Sequence, residues 1–258
     1  MNKILRGAVP AALCVLAALF ASACASADTI SVAVANSTCS AMQKMGKLFE
    51  QRSGAHINYQ CKSSGLLAKG LKGGAIGADI YVSASKEWMD FMVSAGLVGS
   101  EQVISPWGNE LVVATAKDSP LALSAWAELA TPRVTTILIG DPSTAPFGRY
   151  AKEAMQHTGI WEAAKSKIIT KKHITLLADT LAVADGSTVG IMFSSNTTPS
   201  HRILFKVDET WHTPIRYYAA PLKSAADRAI VAELLRFMQS KEAQAIFEME
   251  GFRVYASE

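Results

Sequence analysis

Apolar and polar positions alternate with two different periods along this chain, and each switch of period marks an element. TISVAVA, residues 29–35, alternates with a period of two, as a half-buried strand does. SAMQKMGKLFEQRSG behind it has the spacing of an amphipathic helix closed by Gly54. HINYQC predicts a second strand and SSGLLAKGLKGG a second helix. ADIYVSA has the nearly continuous apolar character of a buried parallel strand, and KEWMDFMVSAG is a helix ending at Gly96. The order β-α-β-α-β predicts a parallel sheet with right-handed crossovers.

The same pattern resumes downstream. NELVVATAK predicts a strand, VTTILIGDP a strand and turn, GRYAKEAMQHTG a helix, and ITLLADTLAVADG another helix. VGIMF and IRYYAAPL predict strands, and AADRAIVAELLRFMQSKEAQAIFEMEGF two closing helices that meet at Ser240-Lys241 and stop at Gly251. There is no repeat, low-complexity tract or flexible linker. With NELVVA and IRYYAA as the two crossing strands, the first lobe is 28–108 plus 219–258 and the second is 109–218. The expected fold is α/β and two-lobed, each lobe a mainly parallel sheet flanked by helices, with two crossover strands as the hinge. Facing strand ends would then leave a ligand cleft between the lobes.

The N-terminus changes the picture of where the chain works. Lys3 and Arg6 precede AVPAALCVLAALFA, an apolar run too short to span a bilayer, and small residues follow in SACASAD. This predicts a signal peptide over 1–27, cut after Ala27. A second reading cuts before Cys24 and acylates its sulfur, because Ala21-Ser22-Ala23-Cys24 is similar to a lipobox that lacks its usual Leu. Either route exports the protein, to the periplasm or to a membrane-tethered position there. Export leaves Cys39 and Cys61, and two cysteines in an oxidising compartment usually pair. A reactive thiol and a metal site with His56 are the other readings, although no His stands at ligand spacing from either sulfur.

Charge and catalytic motifs exclude more than they include. The 258 residues are 50% hydrophobic and 18% charged with a formal net charge of +3, and the cations are scattered, so nothing predicts a nucleic-acid partner. The five His residues fall in no H-E-x-x-H pattern, and no Ser lies in a G-x-S-x-G turn, so no enzyme is expected.

Four junctions place small or turn-forming residues where a strand gives way to a helix. They are Asn36-Ser37-Thr38, Ser63-Ser64-Gly65, the run from Asp141 to Gly148, and Lys172-His173-Ile174-Thr175. Free N–H groups and the positive dipole end at a helix N-terminus favour an anion, a Ser hydroxyl adds a donor, and Gly65 and Gly148 permit close backbone approach. Each junction alone also reads as ordinary capping, and Asp141 before Pro142 as a turn former.

From Asp28 to about Phe252 the sequence resembles the periplasmic molybdate-binding proteins of ABC transporters. ANSTCSAMQ, SSGLLAKGLKGGAIGADIYVSASKEWMDF, GNELVVA, GDPSTAPFGRYAKEAM, VGIMF and SKEAQAIFEMEGF carry the likeness in order, ADIYVSASKEWMDF and GDP…P-x-GRYAKEA being the most specific. The resemblance implies a periplasmic-binding-protein fold and a monomer that binds molybdate or tungstate between its lobes, without a cofactor, for a membrane permease. It also implies a donor set: Ser37 and Ser64 by hydroxyl and amide, Phe147 by its N–H, and Thr175, or Ile174 one residue earlier, by its N–H. No protein atom would ligate the metal directly.

Phe193 departs from that family, which has a Tyr hydroxyl at the position. One hydrogen bond to the anion is then missing unless Ser194, Ser195 or water supplies it, a loss of about tenfold or more in affinity. The Phe147 and Phe193 rings either mark a pocket reshaped for another anion, such as sulfate or a small organic or phosphorylated acid, or pack beneath the loops. With Ser37 and Ser64 on one anion, a Cys39–Cys61 bridge would tie the two donor loops together and preorganise them.

Overall fold

The computed structural model describes residues 28–255. The signal peptide expected over 1–27 with Cys24, its two cleavage readings, and residues 256–258 lie outside the described residues. In chain order, β1 (Thr29–Ala35), α1 (Cys39–Ser53), β2 (His56–Lys62), α2 (Ser64–Lys72), β3 (Ile80–Ser83) and α3 (Lys86–Ser94) realise the expected β-α-β-α-β unit. Then come β4 (Trp107–Gly108), β5 (Leu111–Ala116), β6 (Thr136–Gly140), α4 (Pro146–His157), α5 (Trp161–Ala164), β7 (Ile168–Lys171), α6 (Ile174–Ala182), β8 (Thr188–Phe193) and β9 (His201–Lys206). Finally β10 (Tyr218–Pro221), α7 (Ala229–Met238), α8 (Lys241–Met249) and β11 (Arg253–Val254) close the chain.

The strands form two main sheets. The first runs β10-β3-β1-β2, with β1 parallel to β2 and β3 and only β10 antiparallel. The second runs β7-β6-β8-β5-β9: β6 is parallel to β7 and β8, while β5 lies antiparallel to both β8 and β9. The reversal at β5 follows from its position, because this strand enters from the crossing rather than from a helix. Alternation along β1 sends Ile30, Val32 and Val34 into one core, while Ala33 joins Leu67, Tyr81, Met89 and Met92 in a second core under α2 and α3.

The two crossing segments lie side by side. Ile104 and Ala219 exchange both backbone hydrogen bonds at 2.9 Å, Tyr217 N–H donates to Trp107 at 2.9 Å, and Asn109 N–H donates to Ile215 at 3.2 Å. Beneath them α8 brings Phe247 into a stack on Trp107, centroids 3.9 Å apart. This packing places the C-terminal helices against the crossing and fixes where β5 and β10 begin.

Cys39, the first residue of α1, is joined to Cys61 near the end of β2 across a Cα–Cα distance of 6.0 Å. The bridge fits the parallel register, in which Val34 faces Cys61 and Ala35 faces Lys62. It leaves neither sulfur as a thiolate, so the metal reading with His56 is not supported. The closed loop has a sequence separation of 22 residues, for which chain-entropy models give about 3 kcal/mol. Denaturant unfolding with and without reductant is expected to show a loss of that order, and an unchanged midpoint would show that the bridge does not stabilise the fold.

Candidate functional site

Four helix N-termini meet at one small space. Its wall is made by Ala35, Asn36 and Ser37 before α1, Ser63 and Ser64 at α2, Ala84 after β3, Ala145, Pro146 and Phe147 at α4, His173 and Ile174 at α6, and Phe193 at the end of β8. No Lys, Arg, Asp or Glu lines it. Its cavity volume is about 10 Å³, room for about one water-sized group.

The helices that end here share one feature of charge. None of α1, α2, α4 or α6 has an acidic residue in its first turn. Of the other helices, α3, α5 and α8 carry Glu87, Glu162 and Glu242 there, while α7 has none. Each uncompensated N-terminus presents about half a positive charge, so four together approach about two. The first amides of a helix lack an intrahelical acceptor. Among the described residues nothing accepts from the N–H of Ser64, Phe147 or Ile174.

Side chains sharpen this donor set. Ser64 is fully buried and its Oγ accepts from Ala84 N–H at 3.0 Å, which leaves its own proton to be donated elsewhere. Ser37 Oγ lies 2.7 Å from the Tyr217 hydroxyl, and Asn109 Nδ2 donates to that hydroxyl at 3.5 Å. Burial holds the Tyr217 hydroxyl above the ordinary tyrosine range, against the pull of Ser37 and Asn109, so it stays protonated and can donate to Ser37. With that bond made, the Ser37 proton is free for the cavity. Tyr217 and Asn109 sit on the two crossing segments, so the cavity is joined to both. His173 Nδ1 accepts from Leu176 N–H at 3.2 Å, capping α6 and leaving the neutral ring's proton on Nε2.

The walls are held together across the cleft. Gly65 N–H donates to Thr144 at 2.9 Å, Tyr150 OH to Ala84 at 3.2 Å, and Asn196 Nδ2 to Ser37 carbonyl at 3.0 Å. Arg149 pairs with Glu87. A Cβ on Gly65 would stand 2.9 Å from Thr144 Cα, and one on Gly148 would stand 2.0 Å from the Gly140 carbonyl oxygen. Glycine at both positions is what allows the approach.

Of the residues singled out in the sequence, Ser37, Ser64, Phe147 and Phe193 share the cavity wall. Thr175 does not. It is exposed, and its N–H and Oγ1 donate to Asn36 Oδ1 at 3.3 and 2.7 Å. Ile174, one residue earlier, is on the wall instead. Phe193 is fully buried, edge-on to Phe147 at 6.1 Å, and tilted against Tyr217 at 6.1 Å. Ser194 and Ser195 bond Asn109, and neither lines the cavity. Asp141 accepts from Ser143 and Thr144, a turn former as expected, and is also off the wall.

Sequence reasoning missed Ser63 as a separate participant, and it missed Tyr217 and Asn109. The only signal for Tyr217 was its place in the crossing strand. Replacing it with Phe leaves Ser37 and Asn109 each short of a buried partner at a cost of about 1 kcal/mol. The Tyr217→Phe variant is expected to melt about 2–4 °C lower, and an unchanged Tm would show the hydroxyl chain to be structurally idle.

The fold is thus two α/β lobes, with a cleft lined by neutral groups beside the two crossing segments. Residues 30–253 match the family model of the bacterial extracellular solute-binding proteins, and the chain belongs to that family. It is 28% identical over 229 residues to the putative ABC transporter substrate-binding lipoprotein YvgL of Bacillus subtilis, covering 87% of this chain and 86% of that one. It is 27% identical over 245 residues to the molybdate-binding protein ModA of Escherichia coli, covering 92% and 93%. Its fold is shared with the periplasmic molybdate-binding protein of Azotobacter vinelandii, at a TM-score of 0.76, 18% identity and coverage of 88% and 99%.

Proposed function

We propose that this protein captures molybdate or tungstate from solution outside the cytoplasm and hands it to the membrane permease of an ABC importer. The observation that carries this reading is the meeting of four helix N-termini, none with an acid in its first turn, at a cavity without a charged side chain. Such a site suits a dianion that only accepts hydrogen bonds. The name of the relative in Escherichia coli points to the same ion.

Ser37 and Ser64 donate from hydroxyl and amide, and Phe147 and Ile174 from their amides, with Thr175 holding Asn36 in place beside them. Phe193 supplies apolar wall rather than a donor. The lobes 28–108 with 219–258 and 109–218 close on the ion by hinge motion at the crossing segments. The relative YvgL, named a lipoprotein, keeps the Cys24 anchor in play beside release into the periplasm.

Fully ionised tetraoxoanions fit donors alone. Phosphate retains a proton near neutral pH and would need an acceptor, and the nearby carboxylate of Asp141 is engaged by Ser143 and Thr144. A space this small also favours an inorganic ion over an acid bearing an organic chain. Sulfate, smaller and equally proton-free, is the second reading, favoured only by the tight apolar wall of Phe147 and Phe193.

Titration calorimetry of the purified protein against molybdate, tungstate, sulfate and phosphate is expected to give saturable one-to-one heats with the first two. Flat traces with both, alongside binding of sulfate or a small organic acid, would overturn the proposed cargo.

A further inference from the structure

Ser63 occupies the N-cap position of α2, with extended backbone at φ −63° and ψ 147°, yet its side chain makes no capping hydrogen bond. A serine at such a position ordinarily accepts from an amide of the first turn. Here the Gly65 amide donates instead across the cleft to the Thr144 carbonyl at 2.9 Å. Ser63 is 5% exposed, and its Oγ has no hydrogen-bond partner among the described residues. It stands on the same cavity wall as Ser37 and Ser64.

A buried hydroxyl released from its own helix and left without a partner is unfavourable unless something else completes it. The neighbouring hydroxyls do not complete it: Ser64 Oγ already accepts from Ala84, and Ser37 Oγ is matched with Tyr217. An oxyanion seated against the Ser64 amide would place an oxygen beside the preceding residue as well. We infer that Ser63 is a third hydroxyl donor to the captured anion, a ligand-binding residue rather than a helix cap. This rests on the anion-capture reading above. It makes α2 contribute two adjacent hydroxyls and an amide to one ion, on the loop that Cys61 anchors two residues earlier.

The two roles predict opposite behaviour of the ligand-free protein. Loss of a true cap by Ser63→Ala would lower its Tm by about 2 °C or more. Loss of an uncompensated buried hydroxyl would leave it unchanged or raise it. Calorimetry with molybdate and a thermal melt without it are therefore run on wild type, Ser63→Ala and Ser63→Gly, the glycine being tolerated at an N-cap if alanine fails to fold. The expected result is a dissociation constant raised about tenfold or more in both variants, with an undiminished ligand-free Tm. Affinity equal to wild type, or a lowered ligand-free Tm in Ser63→Ala, would overturn the assignment. Wild-type protein that binds neither molybdate nor tungstate would remove the reading beneath it and the assignment together, an outcome distinct from a variant that merely matches wild type.

Discussion

Four like-signed helix ends do not converge without cost. Each N-terminus carries partial positive charge, and bringing α1, α2, α4 and α6 to one small space sets those charges against each other in a poorly screened interior. Elsewhere in this chain Glu87, Glu162 and Glu242 sit in the first turns of α3, α5 and α8 and answer the same charge locally. At the cavity no side chain answers it. On the proposed function, the arrangement becomes favourable when a dianion occupies the centre, which would make ligand capture and lobe closure one electrostatic event rather than two.

The frame around that space is stiff where it must be. The Cys39–Cys61 bridge joins the helix that follows Ser37 to the strand that precedes Ser63, so the two donor loops of the first sheet keep a set distance. The crossing segments are paired by backbone hydrogen bonds and packed on Phe247. Tyr217 and Asn109 run from them to Ser37. On the proposed function, donors held in advance would lose little entropy when the ion arrives, and neutral groups could then hold a dianion without a formal counter-ion.

Much of this was readable from the chain. The period-two runs TISVAVA and HINYQC and the helices between them became the first sheet and its flanks, because strong local periodicity and the buried face agree there. The serine and glycine junctions also fell where the pattern put them. HRILFK was not foreseen as β9: it is a half-exposed edge strand with charges at both ends, so its alternation is weak. β7 and β11 are too short to show a period.

The site was legible as junctions but not as a geometry. Ile174 and Thr175 differ by one step along a helix start, which is enough to turn one toward the cavity and the other toward Asn36. Ser63 looks like any N-cap serine in a sequence, and only its burial and unused hydroxyl separate it from one. Tyr217 lies far along the chain from Ser37, and no local pattern could pair them.

Crystals of the full mature protein grown with molybdate, measured at the molybdenum absorption edge, locate the ion without reference to the protein chain. A single anomalous peak is predicted within hydrogen-bonding reach of Ser37, Ser64 and the amides of Phe147 and Ile174, with no Lys or Arg beside it. A peak outside the cleft, or one held by a cationic side chain, would contradict the claim that neutral helix-end donors alone hold the dianion.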